Sequence, residues 1–188
     1  MQYLLGLISG ILATGFGVLL TFRLESQQES KRDTNIFEAF KEEIISNLEM
    51  LSANCIHLEE EISILEDKHL LSTLTPYYFS TWDILKTHLP KELAGKETFR
   101  QLALTMHLIL LINNEIASRE LYKINNLTVT NFGQTLKKKD QILLDRNVKL
   151  LTRILELKKE LGLEIEFNSP SPTLMEAMGK TPTTLKKH

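Results

Sequence analysis

Apolar residues recur at steps of three or four along most of the chain, which is the spacing of one face of an α-helix. The longest series runs from residue 37 to residue 65 and predicts a helix of about eight turns. Its apolar face consists of Phe37, Phe40, Ile44, Leu48, Leu51, Cys55, Leu58, Ile62 and Leu65. The opposite face carries glutamates, including Glu43 and Glu59, which we expect to be solvated.

The same spacing predicts two more long helices. One covers about 96–125 and includes 102–112, which is apolar on nearly every side, so we expect it to be the central core element. The other covers about 135–161, and Gly162 suits the position that ends a helix. Residues 163–188 are rich in Pro, Ser and Thr, which predicts a disordered tail. We therefore expect an all-α chain with a helical bundle at 36–162.

The N-terminal segment is the most apolar part of the chain. Residues 3–22 contain no charge, and twenty residues match a hydrocarbon core of roughly 30 Å at 1.5 Å per residue. No Lys or Arg precedes this run, as a cleaved signal peptide would require. We therefore predict a transmembrane helix at 1–23, followed by a connector at 24–35. The basic residues Arg23, Lys31 and Arg32 place the N-terminus outside and the bundle in the cytoplasm, at a bacterial inner membrane.

Small residues line one side of this predicted anchor. They lie at steps of four, three and four, and they are Gly6, Gly10, Ala13 and Gly17. In lipid, such a stripe lets two helix backbones approach closely, which favours a homo-oligomer. Glycine is also common in membrane helices that do not associate, and this alternative stays open.

Composition excludes little and favours no enzyme class. The net charge of −2 gives no overall field that would recruit nucleic acid, and the single cysteine, Cys55, cannot form an internal disulfide. No phosphate-binding loop, dinucleotide fingerprint, nucleophile elbow or paired-cysteine site occurs. We expect no cofactor and no metal.

One polar stripe stands out on the predicted central helix. Arg100, His107 and Asn114 are seven residues apart and therefore share a face. A buried arginine is costly unless it is paired, so a satisfied structural network is one interpretation. The other is catalytic, because an arginine can stabilise a pentavalent phosphate while a histidine moves the proton.

The segment Arg100-Gln-Leu-Ala-Leu-Thr-Met-His107 resembles the Arg-x(4–6)-His motif of HEPN-type helical domains. In active members of that family, two such motifs meet at a dimer interface and cut RNA without a metal. A single N-terminal membrane helix before a small all-α domain is similar to the accessory membrane-pore proteins of RNA-targeting CRISPR systems. That resemblance implies a ring-shaped oligomer that depolarises the membrane, with a degenerate motif. Segments 40–51 and 79–86 also resemble a broad group of uncharacterised bacterial membrane-anchored helical proteins.

Three hypotheses follow, in order of preference. The first is a self-associating membrane effector that forms or gates a pore in antiviral defence. The second is a membrane-tethered scaffold or adaptor for a cytosolic effector protein. The third is a membrane-tethered, metal-independent RNase that uses Arg100 and His107 on an RNA partner.

Overall fold

The computed structural model describes residues 2–64, 72–81, 84 and 96–180, with the side chains of 23–64, 72–81, 84 and 97–180. Four helices have defined bounds in this part of the chain, and it contains no strand, which confirms the predicted all-α class. The helices are α1 (Gln2–Ile64), α2 (Lys96–Asn126), α3 (Phe132–Leu161) and α4 (Pro172–Ala177).

Helix α1 is a single helix of 63 residues, about 95 Å long. The connector at 24–35 is therefore helical, and nearly all of its side chains are exposed. Burial begins at Phe40 and continues through Leu48, Leu51 and Leu58. The second half of α1 belongs to the bundle, while its middle part projects beyond the bundle as an exposed stalk.

The predicted membrane anchor falls on residues whose side chains lie outside the described part. This applies to 1–22 of the predicted span 1–23 and to the whole stripe of Gly6, Gly10, Ala13 and Gly17. Within the described residues, no helix combines the length and the apolar character needed to cross a bilayer.

Helix α3 is the central element of the bundle, because it packs against α1, α2 and α4. The expectation that the second long helix would be central is wrong. Leu104, Leu110 and Leu111 of α2 keep 38–41% of their surface exposed. The apolar stretch 102–112 covers two faces of α2, of which one packs inward through Leu102, Ile109 and their neighbours while the other faces solvent.

The disordered tail predicted at 163–188 is wrong for residues 163–180. Leu163, Ile165 and Leu174 are buried in the core, and Ser171 caps α4 by accepting a hydrogen bond from the Leu174 N–H. Glu59 of α1, expected to be solvated, accepts hydrogen bonds from the Ser171 hydroxyl and the Thr173 N–H. Apolar residues at alternate positions fix this segment to the bundle. Its high Pro and Ser content is typical of disorder, which is why the sequence led to the wrong prediction.

The end of α3 follows the sequence prediction. Gly162 has φ of 62°, and its N–H donates to the carbonyl oxygen of Lys158. A left-handed residue at this place is what allows the chain to leave α3 and turn back over α1.

Candidate functional site

The predicted polar stripe lies on the outer surface of α2. Arg100, His107 and Asn114 are all exposed, so Arg100 is not a buried charge that needs an internal network. The guanidinium of Arg100 donates to Glu97 through Nε at 3.0 Å and through Nη2 at 2.6 Å. This hydrogen-bonded pairing raises the pKa of Arg100.

Arg100 and His107 lie about two turns apart on one exposed face of α2. Seven helical residues correspond to about 10.5 Å along the axis. The donors of Arg100 are also engaged with Glu97 rather than directed at His107. The two residues share a face, as their spacing predicts, and both are open to solvent.

That outer face carries a repeating apolar pattern, which we call the α2 seam. Its members lie at alternating steps of four and three, as in a two-helix coiled-coil interface. They are Ala103, His107, Leu110, Asn114, Ala117, Leu121 and Ile124. Leu121 is 60% exposed and Ile124 is 72% exposed, although both belong to types that folded chains usually bury. The α2 seam is therefore an apolar strip without a partner in the described part of the chain.

The inner face of α2 takes part in a different arrangement, built around residues 72–81, which we call the ladder segment. This segment has no helical or strand structure up to residue 79. Three asparagines bind its main chain, and each uses both its carbonyl oxygen and its amide nitrogen. Asn54 pairs with the N–H and C=O of Thr75, Asn47 with those of Tyr78, and Asn113 with those of Tyr77.

These three residues, Asn47, Asn54 and Asn113, form what we call the asparagine ladder. All six of its hydrogen bonds lie between 2.7 and 2.9 Å, near the most common length for N–H···O bonds. A primary amide offers one acceptor and two donors, so it can satisfy a backbone N–H and C=O together. The ladder thus replaces the neighbouring strand that an extended segment would have in a sheet.

Two carboxylates of α1 close the ends of this arrangement. Glu61 accepts the N–H of Ser72 at 3.1 Å, and Glu43 accepts the N–H of Thr81 at 3.0 Å. Glu43 also accepts the hydroxyl of Ser80 at 2.8 Å. Glu43 was expected to be solvated, and this expectation is wrong: it is 8% exposed because it anchors the segment.

The spacing explains why α1 and the ladder segment stay in register. Glu61, Asn54 and Asn47 are seven residues apart, which is about 10.5 Å along a helix. Their partners Ser72, Thr75 and Tyr78 are three residues apart, a distance that reaches about 10 Å in a fully extended chain. A period of three also fits the burial of the segment. Leu74 and Tyr77 are buried, whereas Thr73, Pro76 and Phe79 are exposed.

Two side chains fix the ladder segment to the core. Leu74 is 3% exposed and Tyr77 is 2% exposed. The Tyr77 hydroxyl donates to Asn147 Oδ1 of α3 at 2.9 Å. Burial raises the pKa of Tyr77, so the hydroxyl stays protonated and remains a donor. Cys55 is buried beside the segment, and burial raises its pKa to about 12, so its thiol is not a nucleophile at neutral pH.

The first residue of the segment enters a buried charge cluster, formed by Glu61, Arg119, Glu120, Lys123 and Asp140. Arg119 is fully buried and donates to Asp140 at 2.5 Å, to Glu61 at 2.6 Å and to Glu120 at 2.5 Å. The carbonyl oxygen of Ser72 accepts from Arg119 at 3.0 Å and from Lys123 at 2.7 Å. The cluster therefore ties α1, α2 and α3 to the main chain of the ladder segment.

Burial and the neighbouring charges shift the pKa values of Asp140 and Arg119 in opposite directions. Burial raises the pKa of Asp140 to about 6, although Arg119 lowers it. Burial alone would lower the pKa of Arg119, but Asp140, Glu61 and Glu120 outweigh this and raise it. Three carboxylates face two cations, so partial protonation of Asp140 relieves the excess negative charge.

Sequence reasoning missed Asn47, Asn54, Asn113 and Arg119. Asn47 and Asn54 lie seven apart beside the apolar face of α1, and this polar repeat within a buried face was the available signal. Asn113 neighbours Asn114, which was predicted from the sequence, but only Asn113 reaches the ladder segment, while Asn114 is exposed.

The described residues contain no group of three or more His, Cys, Asp or Glu side chains placed to hold a metal ion. No protein-family model, no curated protein and no solved structure matches the chain.

Proposed function

We propose that this chain is a membrane-anchored helical effector that self-associates and thereby forms or gates a pore. The α2 seam is the observation that carries the proposal. Its seven positions span about 32 Å of helix, and they combine five apolar residues with His107 and a central asparagine. Asparagine within a coiled-coil seam is known to select register and partner number, because its amide needs a matching amide. A second copy of the chain supplies that amide at Asn114.

The continuity of α1 supports a mechanical link between anchor and bundle. One helix runs from Gln2 to Ile64, and the exposed stalk contains no Pro or Gly at which it would bend. Any association of the bundles therefore constrains the orientation of the N-terminal segments that we expect to lie in the membrane. The small-residue stripe of Gly6, Gly10, Ala13 and Gly17 then provides the contact within lipid.

The test of self-association is disulfide crosslinking in native membranes with Asn114→Cys. Because Asn114 is at the centre of the seam, the new cysteine meets its own copy whether the two helices run parallel or antiparallel. We expect a disulfide-linked dimer under mild oxidation. The native Cys55 is buried and its pKa is raised, so it contributes no background.

The matched control is Asp145→Cys, which places an exposed cysteine on α3 away from the seam. It should remain monomeric under the same conditions. Adding Leu121→Glu and Ile124→Glu to Asn114→Cys should abolish the dimer, since both introduce charge into the seam. Equal crosslinking of Asn114→Cys and Asp145→Cys would contradict the proposal.

The functional readout is the permeability of the inner membrane to a small dye after induction. We expect entry of the dye with the wild-type chain and a loss of entry with Gly10→Leu combined with Gly17→Leu. The seam variant Leu121→Glu with Ile124→Glu should lose it as well. Unchanged permeability in both variants would separate association from any effect on the membrane and refute the pore.

A further inference from the structure

The buried charge cluster is unbalanced in its charges and in its hydrogen bonds. Its three carboxylates and two cations are Glu61, Glu120, Asp140, Arg119 and Lys123. Oε1 of Glu61 and Oδ2 of Asp140 are buried and have no hydrogen-bond partner among the described residues. A buried acceptor without a donor is unfavourable, and so is an excess charge away from water. One additional proton would relieve both.

The two carboxylates with these unpartnered oxygens are neighbours. Arg119 donates through Nε to Asp140 at 2.5 Å and through Nη2 to Glu61 at 2.6 Å, and both acidic side chains are fully buried. Nε and Nη2 belong to one planar guanidinium, so their acceptors lie side by side. Glu61 also accepts the N–H of Ser72. Hydrogen bonds from donors favour the ionised form, so the proton belongs on Asp140.

We propose that Asp140 and Glu61 form a proton-sensitive switch that docks or releases Ser72, the first described residue of the ladder segment. With a proton on Asp140, two carboxylates face two cations, and Ser72 stays docked over a neutral cluster. Without this proton, the cluster carries an excess negative charge, which is stabilised when Ser72 moves away and water enters. Slightly acidic conditions therefore dock this end of the segment, and alkaline conditions open it.

Ser72 is the residue whose release would hydrate the cluster. Its C=O accepts from Arg119 at 3.0 Å and from Lys123 at 2.7 Å, and its N–H donates to Glu61 at 3.1 Å. The asparagine ladder holds the rest of the segment through six separate hydrogen bonds. Opening at Ser72 can therefore be local, with the remainder of the segment still in place.

The described charged groups that act on Asp140 come from two other helices. Burial and then Glu61 of α1 raise the pKa of Asp140, whereas Arg119 and Lys123 of α2 lower it, and the result is about 6 instead of 3.8. Glu120 of α2 binds both cations. The docked state thus binds the proton more tightly than a hydrated open state, so docking is strongest at low pH and weakens as the pH rises through about 6.

The test follows amide hydrogen exchange at Ser72 in the full-length chain in detergent, expressed as a protection factor relative to the intrinsic rate. From pH 7 to pH 5, we expect this protection to rise about tenfold, as linkage requires for a pKa of about 6 when docked and 3.8 when open. Low urea concentrations should leave the protection of Ser72 unchanged, because a local opening exposes little surface. Leu151, buried in α3, should lose protection in the same urea series.

Asp140→Asn imitates the protonated acid, because its side chain is neutral and its amide is a donor. At pH 7, Ser72 of this variant should be as protected as Ser72 of wild type at pH 5, and the pH dependence should disappear. A residue that only stabilised the fold through its charge would instead lose protection on this change. The matched control is Asp145→Asn, an exposed acid on the same helix, which should keep the wild-type profile.

The wild-type profile needs no variant, so the proposal stays testable if Asp140→Asn does not fold. Constant protection of Ser72 from pH 7 to pH 5 would overturn it. A loss of Ser72 protection in urea that parallels Leu151 would overturn it as well, because the proton would then act on global unfolding and not on the segment. A pH dependence that survives Asp140→Asn would place the proton on another group and have the same consequence.

Discussion

The two faces of α2 carry similar residue types and use them in opposite ways. On the inner face, Asn113 and Arg119 have all their partners within the chain. On the outer face, Asn114 is exposed and Arg100 is paired with Glu97 of its own helix. Whether a polar residue of this helix holds the fold together or is open to solvent therefore depends on its face and not on its type.

The difference has a physical basis in what each face meets. The inner face meets the main chain of the ladder segment and the buried carboxylates of α1 and α3, so its polar groups are necessary there. The outer face meets solvent, so its asparagine and histidine need no partner within the chain. Substitutions of matched residues on the two faces test this contrast directly.

The largest effect is expected for the two arginines. Arg119→Leu leaves Glu61 and Asp140 buried without their cation, and breaking a buried pair costs about 3–5 kcal/mol of unfolding free energy. Arg100→Leu should leave the unfolding free energy unchanged, because Arg100 is exposed. Urea unfolding of both variants measures the contrast. Equal losses would show that the charge cluster does not stabilise the bundle.

The next effect concerns the neighbouring asparagines. Asn113→Ala removes two hydrogen bonds to Tyr77 and should cost about 1–3 kcal/mol. Asn114→Ala should leave the stability of the single chain unchanged and reduce self-association instead. Thermal unfolding at low concentration gives the first quantity, and the detergent-extracted mass gives the second. A stability loss confined to Asn114→Ala would reverse the assignment of the two faces.

The smallest effect is a dependence on pH that belongs to the inner face. The folded state raises the pKa of Asp140 from 3.8 to about 6, so the folded state binds the proton more readily than the unfolded state. Stability from this group is therefore complete below pH 3.8 and is lost as the pH rises through about 6. Between pH 7 and pH 5, wild type should gain about 1 kcal/mol relative to Asp140→Asn. Parallel pH profiles for the two proteins would contradict this.

The helices were predictable because their apolar period is visible along the chain. Helix α2 was expected at 96–125 and occurs at Lys96–Asn126, and Gly162 ends α3 as its left-handed φ requires. The position of α2 was not predictable, since 102–112 is apolar on both of the faces that it could bury. Which arginine of α2 is buried depends on the face that packs inward, so the sequence pointed to Arg100 and not to Arg119.

The ladder segment could not be predicted for a different reason. Its period of three belongs neither to a helix nor to a strand, and its partners Asn47 and Asn54 lie more than twenty residues away in sequence. Asparagine is neutral in an amphipathic pattern and gains its role only when the fold places a backbone opposite its amide.

The measurement that tests the ladder most directly is amide hydrogen exchange, residue by residue, on the full-length chain. We predict slow exchange at Thr75, Tyr77 and Tyr78, whose N–H groups donate to asparagine side chains, and fast exchange at Thr73 and Phe79, for which the described residues give no such bond. Asn54→Ala should accelerate Thr75 more than Tyr77. Uniformly fast exchange from 73 to 79 would contradict the assignment of this segment to the groove.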